Sequence, residues 1–235
     1  MARSKERKDG RLREILAELE SRANPENVVG MARYGINPKN TFGVSAPVLR
    51  AMAKRIGRDH ALALELWESG IREARILAGL IDDPALVTES QLERWAKDFD
   101  SWDVCDGVCS NLFDKTPFAY EKTAAWSGRE EEFVKRAGFV LMAALAVHDK
   151  KAPDGRFRGF LPLIEREAAD ERNFVKKAVN WALRQIGKRN RPLNAAAIAS
   201  AKRIRNMDSK AARWIAADAL RELESDAVQG RLARR

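Results

Sequence analysis

The chain has 235 residues, 45% hydrophobic and 33% charged, which is enough apolar side chain for a sizeable core and excludes a disordered polymer. Its longest apolar run, Ala137 to Val147, is eleven residues, about half of what a membrane span needs, so it reads as a core helix. The net charge of +9 lies in the last third: residues 151–235 carry +10, residues 1–100 carry +1 and residues 101–150 carry −2, an asymmetry that favours a polyanionic partner.

Helical spacing dominates from the start. Leu12, Ile15, Leu16 and Leu19 predict a helix over 11–21. Ser45 and Pro47 open a second one, which runs to about Ile56 and stops at Gly57. Helices over 60–68 and 71–81 follow, broken at Pro84. Thr88-Glu89-Ser90-Gln91 has the pattern of a capping box for a helix to Lys97. Ser101 or Asp100 caps the next helix, which runs to about Phe113. Further helices are predicted over 117–126 and 130–148, with a turn over 150–157, and then over 161–168, 171–188, 193–204 and 209–223. The last dozen residues read as a short helix running into a basic tail. Residues 1–9 and 226–235 are expected to be flexible.

Many short helices joined by tight loops predict a helical solenoid. Phe133-Val134-Lys135-Arg136-Ala137 is echoed forty-one positions later by Phe174-Val175-Lys176-Lys177-Ala178, a period near that of HEAT-type helix pairs. The expected fold is therefore all-α: one domain over 1–235, an α-solenoid of degenerate HEAT-like repeats with a concave basic face.

Cys105 and Cys109 lie four apart on one helix face, a poor place for a staple. They read as reduced, buried small residues of a cytoplasmic protein, and no secretory signal is visible. His60 and His148 have no ligand-type spacing, and no Gly-rich phosphate loop or Gly-x-Ser-x-Gly elbow occurs. Neither a metal nor a cofactor is expected.

Four residues stand out. Trp102 and Asp106 are four apart and share one helix face. Arg136 heads a stripe that continues as Val140, Ala143 and Val147, so its charge must find a partner or an open cleft. Both a structural ion pair, with Asp106 or Glu132, and a bound phosphate remain open. Trp181 sits within the stripe Lys177, Trp181, Arg184, Lys188, where cations flank an aromatic as a phosphate backbone requires; Arg213 lies beside Trp214. Trp67, Trp95, Trp126 and Trp214 read as core anchors, although Trp214 could also line the same groove.

In this order the motifs resemble the bacterial DNA alkylation repair enzymes, the AlkD-like glycosylases built of HEAT-like repeats. Met31-Ala32-Arg33-Tyr34-Gly35-Ile36 followed by Gly43-Val44-Ser45-Ala46-Pro47-Val48-Leu49-Arg50 is similar to that family's N-terminal signature. Trp102-Asp103-Val104-Cys105-Asp106 is similar to its Trp-Asp-x-x-Asp segment, Lys135-Arg136-Ala137 to its arginine-bearing helix, and Lys177 to Arg184 to its second tryptophan helix. The resemblance implies that Trp102 and Trp181 contact the deoxyribose of a damaged nucleotide, that Asp106 is the catalytic carboxylate and that Arg136 binds the flanking backbone. It implies a glycosylase that excises N3- or N7-alkylated purines from double-stranded DNA. Such a protein is expected to be a monomer in the nucleoid, with no membrane, obligate protein partner or cofactor. Two other readings stay open: a non-catalytic HEAT-like binder of branched or damaged DNA, and a protein-binding scaffold.

Overall fold

A computed structural model describes residues 2–234 of the chain, with side chains from residue 10 onward. The regular structure among these residues is helical. The contacts divide the chain into two compact units, Met1–Thr116 and Pro117–Arg235.

The first unit holds α1 (Ala2–Ser21), α2 (Pro25–Arg33), α3 (Ala46–Ile56), α4 (His60–Glu68), α5 (Arg72–Ile81), α6 (Glu89–Lys97) and α7 (Trp102–Asn111), then a short 3-10 turn, Phe113–Lys115. Caps set these boundaries. Asp59 and Thr88 accept from Leu62 N and Gln91 N, and Gly57, at φ 76°, stops α3 in a conformation that favours glycine. The core is aromatic. Trp67 of α4 stacks on Trp95 of α6, with centroids 4.0 Å apart and planes 2° apart, and the Trp67 indole N–H donates to Asp98 at 2.8 Å.

The second unit holds α8 (Ala119–Ser127), α9 (Glu132–His148), α10 (Asp154–Arg166), α11 (Asn173–Gly187), α12 (Arg191–Arg205), α13 (Lys210–Leu223) and α14 (Asp226–Ala233). It is built from helix pairs in two layers. In one layer α8 packs on α10 and α10 on α12; in the other α9 packs on α11 and α11 on α13. Bonds from one pair to the next repeatedly join residues 38 apart: Asn180 to Asp218, Arg184 to Glu222, Arg203 to Glu165, Ser209 to Glu171, and Arg136 to the Phe174 carbonyl. In the first unit the equivalent step is 31, from Trp67 to Asp98 and from Arg72 to Asp103. The repeat is real, but its length changes between the units, so a single period across the sequence is degenerate. Gly138 lets α9 close on α8, since a Cβ there would stand 2.6 Å from the Ser127 amide nitrogen.

Three boundaries differ from expectation. Helix α2 was not anticipated, because it buries none of its residues and so shows no apolar stripe. Its signals are Pro25 at the first turn and the Asn24 side chain, which accepts from Asn27 N. Helix α10 starts at Asp154 rather than Leu161, and it carries Pro162 in its interior. Buried Phe157, Phe160, Leu161 and Ile164 outweigh the lost hydrogen bond. Residues 226–233, expected to hold a short helix within a flexible tail, form α14, capped by Ser225 and anchored by buried Val228 and Leu232. The backbone of α1 is helical from Ala2; the expectation for the side chains of residues 1–9 lies outside the described residues.

Candidate nucleic-acid interface

The start of α7 is held by a chain of charges. Glu73 of α5 is fully buried and accepts three backbone N–H groups, from Phe42 at 3.0 Å, Gly43 at 2.9 Å and Val44 at 3.2 Å. It also pairs with Arg72 at 2.9 Å, and Arg72 pairs with Asp103 of α7. Asp103 in turn accepts from Ser101 Oγ at 2.6 Å. Gly43 is obligatory in this loop: its φ is +80° and a Cβ would meet the Asn24 carbonyl oxygen at 2.3 Å. The network pins the α2–α3 loop and the first turn of α7 to one helix, α5.

That first turn presents Trp102 and, one turn on, Asp106. Both are half-buried, so both keep a face open. The Trp102 indole N–H donates to the Tyr34 carbonyl at 3.0 Å, which fixes the ring against the end of α2. Tyr34 itself is 76% exposed. The sequence reading gave Tyr34 no role of its own, and the signal lay in its place within the 31–36 motif. The opposite side of α7 turns the Cys105 and Cys109 thiols into the core, fully buried. Burial, then the neighbouring Cys105, pushes the Cys109 thiol well above its usual value.

In the second unit, Arg136 lies near the start of α9, is 5% exposed and donates to the Phe174 carbonyl. It thus ties α9 to the N-terminal turn of α11. Its neighbour Lys135 is also buried and pairs with Glu167 at 2.8 Å and Asp170 at 3.4 Å. Burial works to raise the carboxyl of Glu167, but Lys135 and Arg166 outweigh it and hold the group below its usual value.

Trp181 is half-buried on α11, one turn past exposed Lys177. The rest of the basic stripe is not open. Arg184 pairs with Glu222 at 2.6 Å and approaches Asp218 at 3.5 Å; Lys188 pairs with the same Glu222 at 2.7 Å. Asp218 also accepts from Asn180 at 2.6 Å. The sequence reading missed these two carboxylates of α13, because the forty-one-residue echo in the sequence is not the 38-residue step that brings them to α11. Trp67, Trp95 and Trp126 are core residues as anticipated. Trp214 is not a core anchor: it is 41% exposed, and Lys176 stands 5.2 Å over its ring. Arg213 beside it is exposed, with Asp208 at 3.4 Å.

Trp102 and Asp106 therefore share one helix face in the first unit. Arg136, Lys177, Trp181, Arg184, Lys188 and Arg213 belong to the second. Among the described residues no group of three His, Cys, Asp or Glu side chains is placed to hold a metal ion, and no helix is long and apolar enough to cross a membrane.

The model of the DNA alkylation repair enzyme family matches residues 15–223. The chain belongs to the DNA alkylation repair enzyme family. The family match runs through both units and ends at the last residue of α13, so α14 lies beyond it. A solved structure described as a new family of proteins related to the HEAT-like repeat DNA glycosylases with affinity for branched DNA structures is similar in fold. Its TM-score is 0.76 at 22% identity, over 94% of this chain and 95% of that one. The repeat architecture expected from the helix spacing is thus the HEAT-like one. A comparison with curated proteins finds no match.

Proposed function

We propose that this member of the DNA alkylation repair enzyme family is a DNA glycosylase that releases N3- or N7-alkylated purines from double-stranded DNA as a monomer. The observation that carries the reading is the Trp102–Asp106 pair: a carboxylate and an indole, each partly open to solvent, on the turn of α7 that the buried Glu73–Arg72–Asp103 chain makes rigid.

The chemistry asks for little more. A purine alkylated at N3 or N7 is already cationic and leaves as a neutral base, so no strong general acid is required. The bond from the base nitrogen to C1′ breaks with its electron pair going to the base, and positive charge gathers on the sugar ring. A carboxylate about 4 Å from that charge is worth roughly 4 kcal/mol at an effective dielectric near 20. Spent on the transition state, that is about a thousandfold in rate. The same Asp106 oxygen orients the water that attacks C1′. An indole face such as that of Trp102 against the cationic sugar adds about 0.5–2 kcal/mol. Lys177 and Arg213, both exposed, serve the phosphate backbone; Arg184 and Lys188 do so only by exchanging Glu222 for phosphate, and buried Arg136, expected to bind the backbone, instead ties α9 to α11.

The second reading is a binder of branched or damaged DNA that excises nothing. It is favoured by the neutralised stripe at Arg184 and Lys188 and by the fold shared with a protein that has affinity for branched DNA. Incubation with a duplex carrying 7-methylguanine separates the two. Free 7-methylguanine above the spontaneous rate supports the glycosylase. Tight binding of a four-way junction with no base released supports the binder.

A further inference from the structure

The basic C-terminal segment has no part in the reading so far, and α14 lies outside the region the family model matches. Arg231 of α14 nevertheless lines a cavity of about 220 Å³ in the second unit. The other cations of that cavity are Lys150, just past α9, and Lys188 and Arg189, just past α11; Gln185 adds an amide, and no carboxylate is in the lining.

Two of the four cations have internal work. Lys188 pairs with Glu222, and Arg189 donates to the Ala146 carbonyl at 2.7 Å and lies 3.8 Å over the Phe157 ring. Lys188 and Arg189 past α11, and Lys150 past α9, also suit the dipoles of those helices. Lys150 and Arg231 have no internal ion pair or ring contact of that kind among the described residues, and both are exposed. Four cations converge from three segments of the chain, with Glu222 paired to Lys188 and Asp149 acting on Arg189 but no carboxylate in the lining itself, and like charges held together are costly unless an anion joins them.

We propose that this cavity binds a phosphate group, an internal phosphodiester of bound DNA, at a place distinct from Trp102, Asp106 and Trp181. Lys150 and Arg231 supply the charge, Gln185 a hydrogen-bond donor, and Arg189 the wall. Helix α14 would then be a further DNA-contacting element added to the family's repeats. This inference rests on DNA being the partner.

The test is duplex affinity against salt, with a lesion-free fluorescent duplex and the full chain. The double variant Lys150→Ala/Arg231→Ala is compared with wild type and with the charge-keeping Lys150→Arg/Arg231→Lys. Loss of one phosphate contact makes the slope of log K against log salt shallower by about 0.9. The alanine variant is expected to lose that much slope and tenfold or more in affinity at 0.1 M salt, with an unchanged melting temperature, while the charge-keeping variant retains both. Equal slopes in wild type and the alanine variant, on a steep wild-type background, overturn the site but leave the DNA reading intact. A flat wild-type profile overturns both. A nicked duplex with a 5′-phosphate is run beside its 5′-hydroxyl form: a variant defect confined to the phosphorylated nick shows a terminal phosphate to be the ligand and overturns the internal phosphodiester.

Discussion

Replacing Glu73 with glutamine keeps the volume of the side chain and removes its charge. In the wild type the fully buried carboxylate accepts from Phe42, Gly43 and Val44 and pairs with Arg72. Glutamine offers one acceptor oxygen in place of two, and its NH2 group turns toward backbone N–H donors. Breaking a buried, hydrogen-bonded ion pair from one side costs about 3–5 kcal/mol. For a chain of this length each kcal/mol shifts Tm by about 2–4 °C, so Glu73→Gln is expected to melt about 6–20 °C lower. Amide hydrogen exchange gives the finer reading: the amides of residues 42–44 should lose protection first, because they lose their acceptor directly. Trp102 should follow, since Arg72 holds Asp103 beside it. A variant that melts within about 2 °C of wild type, with residues 42–44 still protected, would refute the claim that this network holds the start of α7.

Gly138→Ala places a methyl group 2.6 Å from the Ser127 amide nitrogen, a backbone atom that cannot swing aside; it should destabilise the second unit by about 1–3 kcal/mol in urea unfolding, and a neutral result would mean α8 and α9 can part. Glu222 loses some of its acidity to burial, but Lys188 and Arg184 outweigh this and hold its carboxyl below the ordinary 4.5. Its stabilising contribution is therefore present above about pH 4.5 and lost as pH falls through its lower folded value. Urea midpoints should drop over that acid range, and less so in Glu222→Gln; an identical acid profile in the variant counts against the pairing. Cys105 and Cys109 should resist a thiol reagent in the native protein and react fully in urea, and rapid native labelling would contradict their burial.

Most of the helices were legible because each buries one apolar stripe; Ser45 and Ser101, expected to cap α3 and α7, stand at the N-cap positions but make no capping side-chain bond. Thr88 and Ser209 cap as their spacing predicts. Helix α2 escaped because its stability comes from its caps rather than from a buried face. The early start of α10 escaped because Pro162 reads as a break, while Phe157 and Phe160, which hold the first turns, lie in what looks like a turn sequence. In the candidate site, Trp102 and Asp106 could be read from spacing alone because they share a helix. The state of Arg184 and Lys188 could not be. Their partner Glu222 is 38 and 34 residues away, and only the observed repeat step brings it there. Trp214 failed for a related reason. A large aromatic next to small residues resembles a core position, but here the alanines fill the core and the indole lies outside under Lys176.

The central claim is that the Asp106 carboxylate stabilises a sugar cation. Single-turnover release of 7-methylguanine from saturating duplex, comparing wild type with Asp106→Asn, tests it most directly. Asparagine keeps the shape and removes the charge. The account predicts a rate lower by about 10²–10³-fold, the loss of most of roughly 4 kcal/mol, with duplex affinity close to wild type. An undiminished rate of base release in the asparagine variant would contradict it.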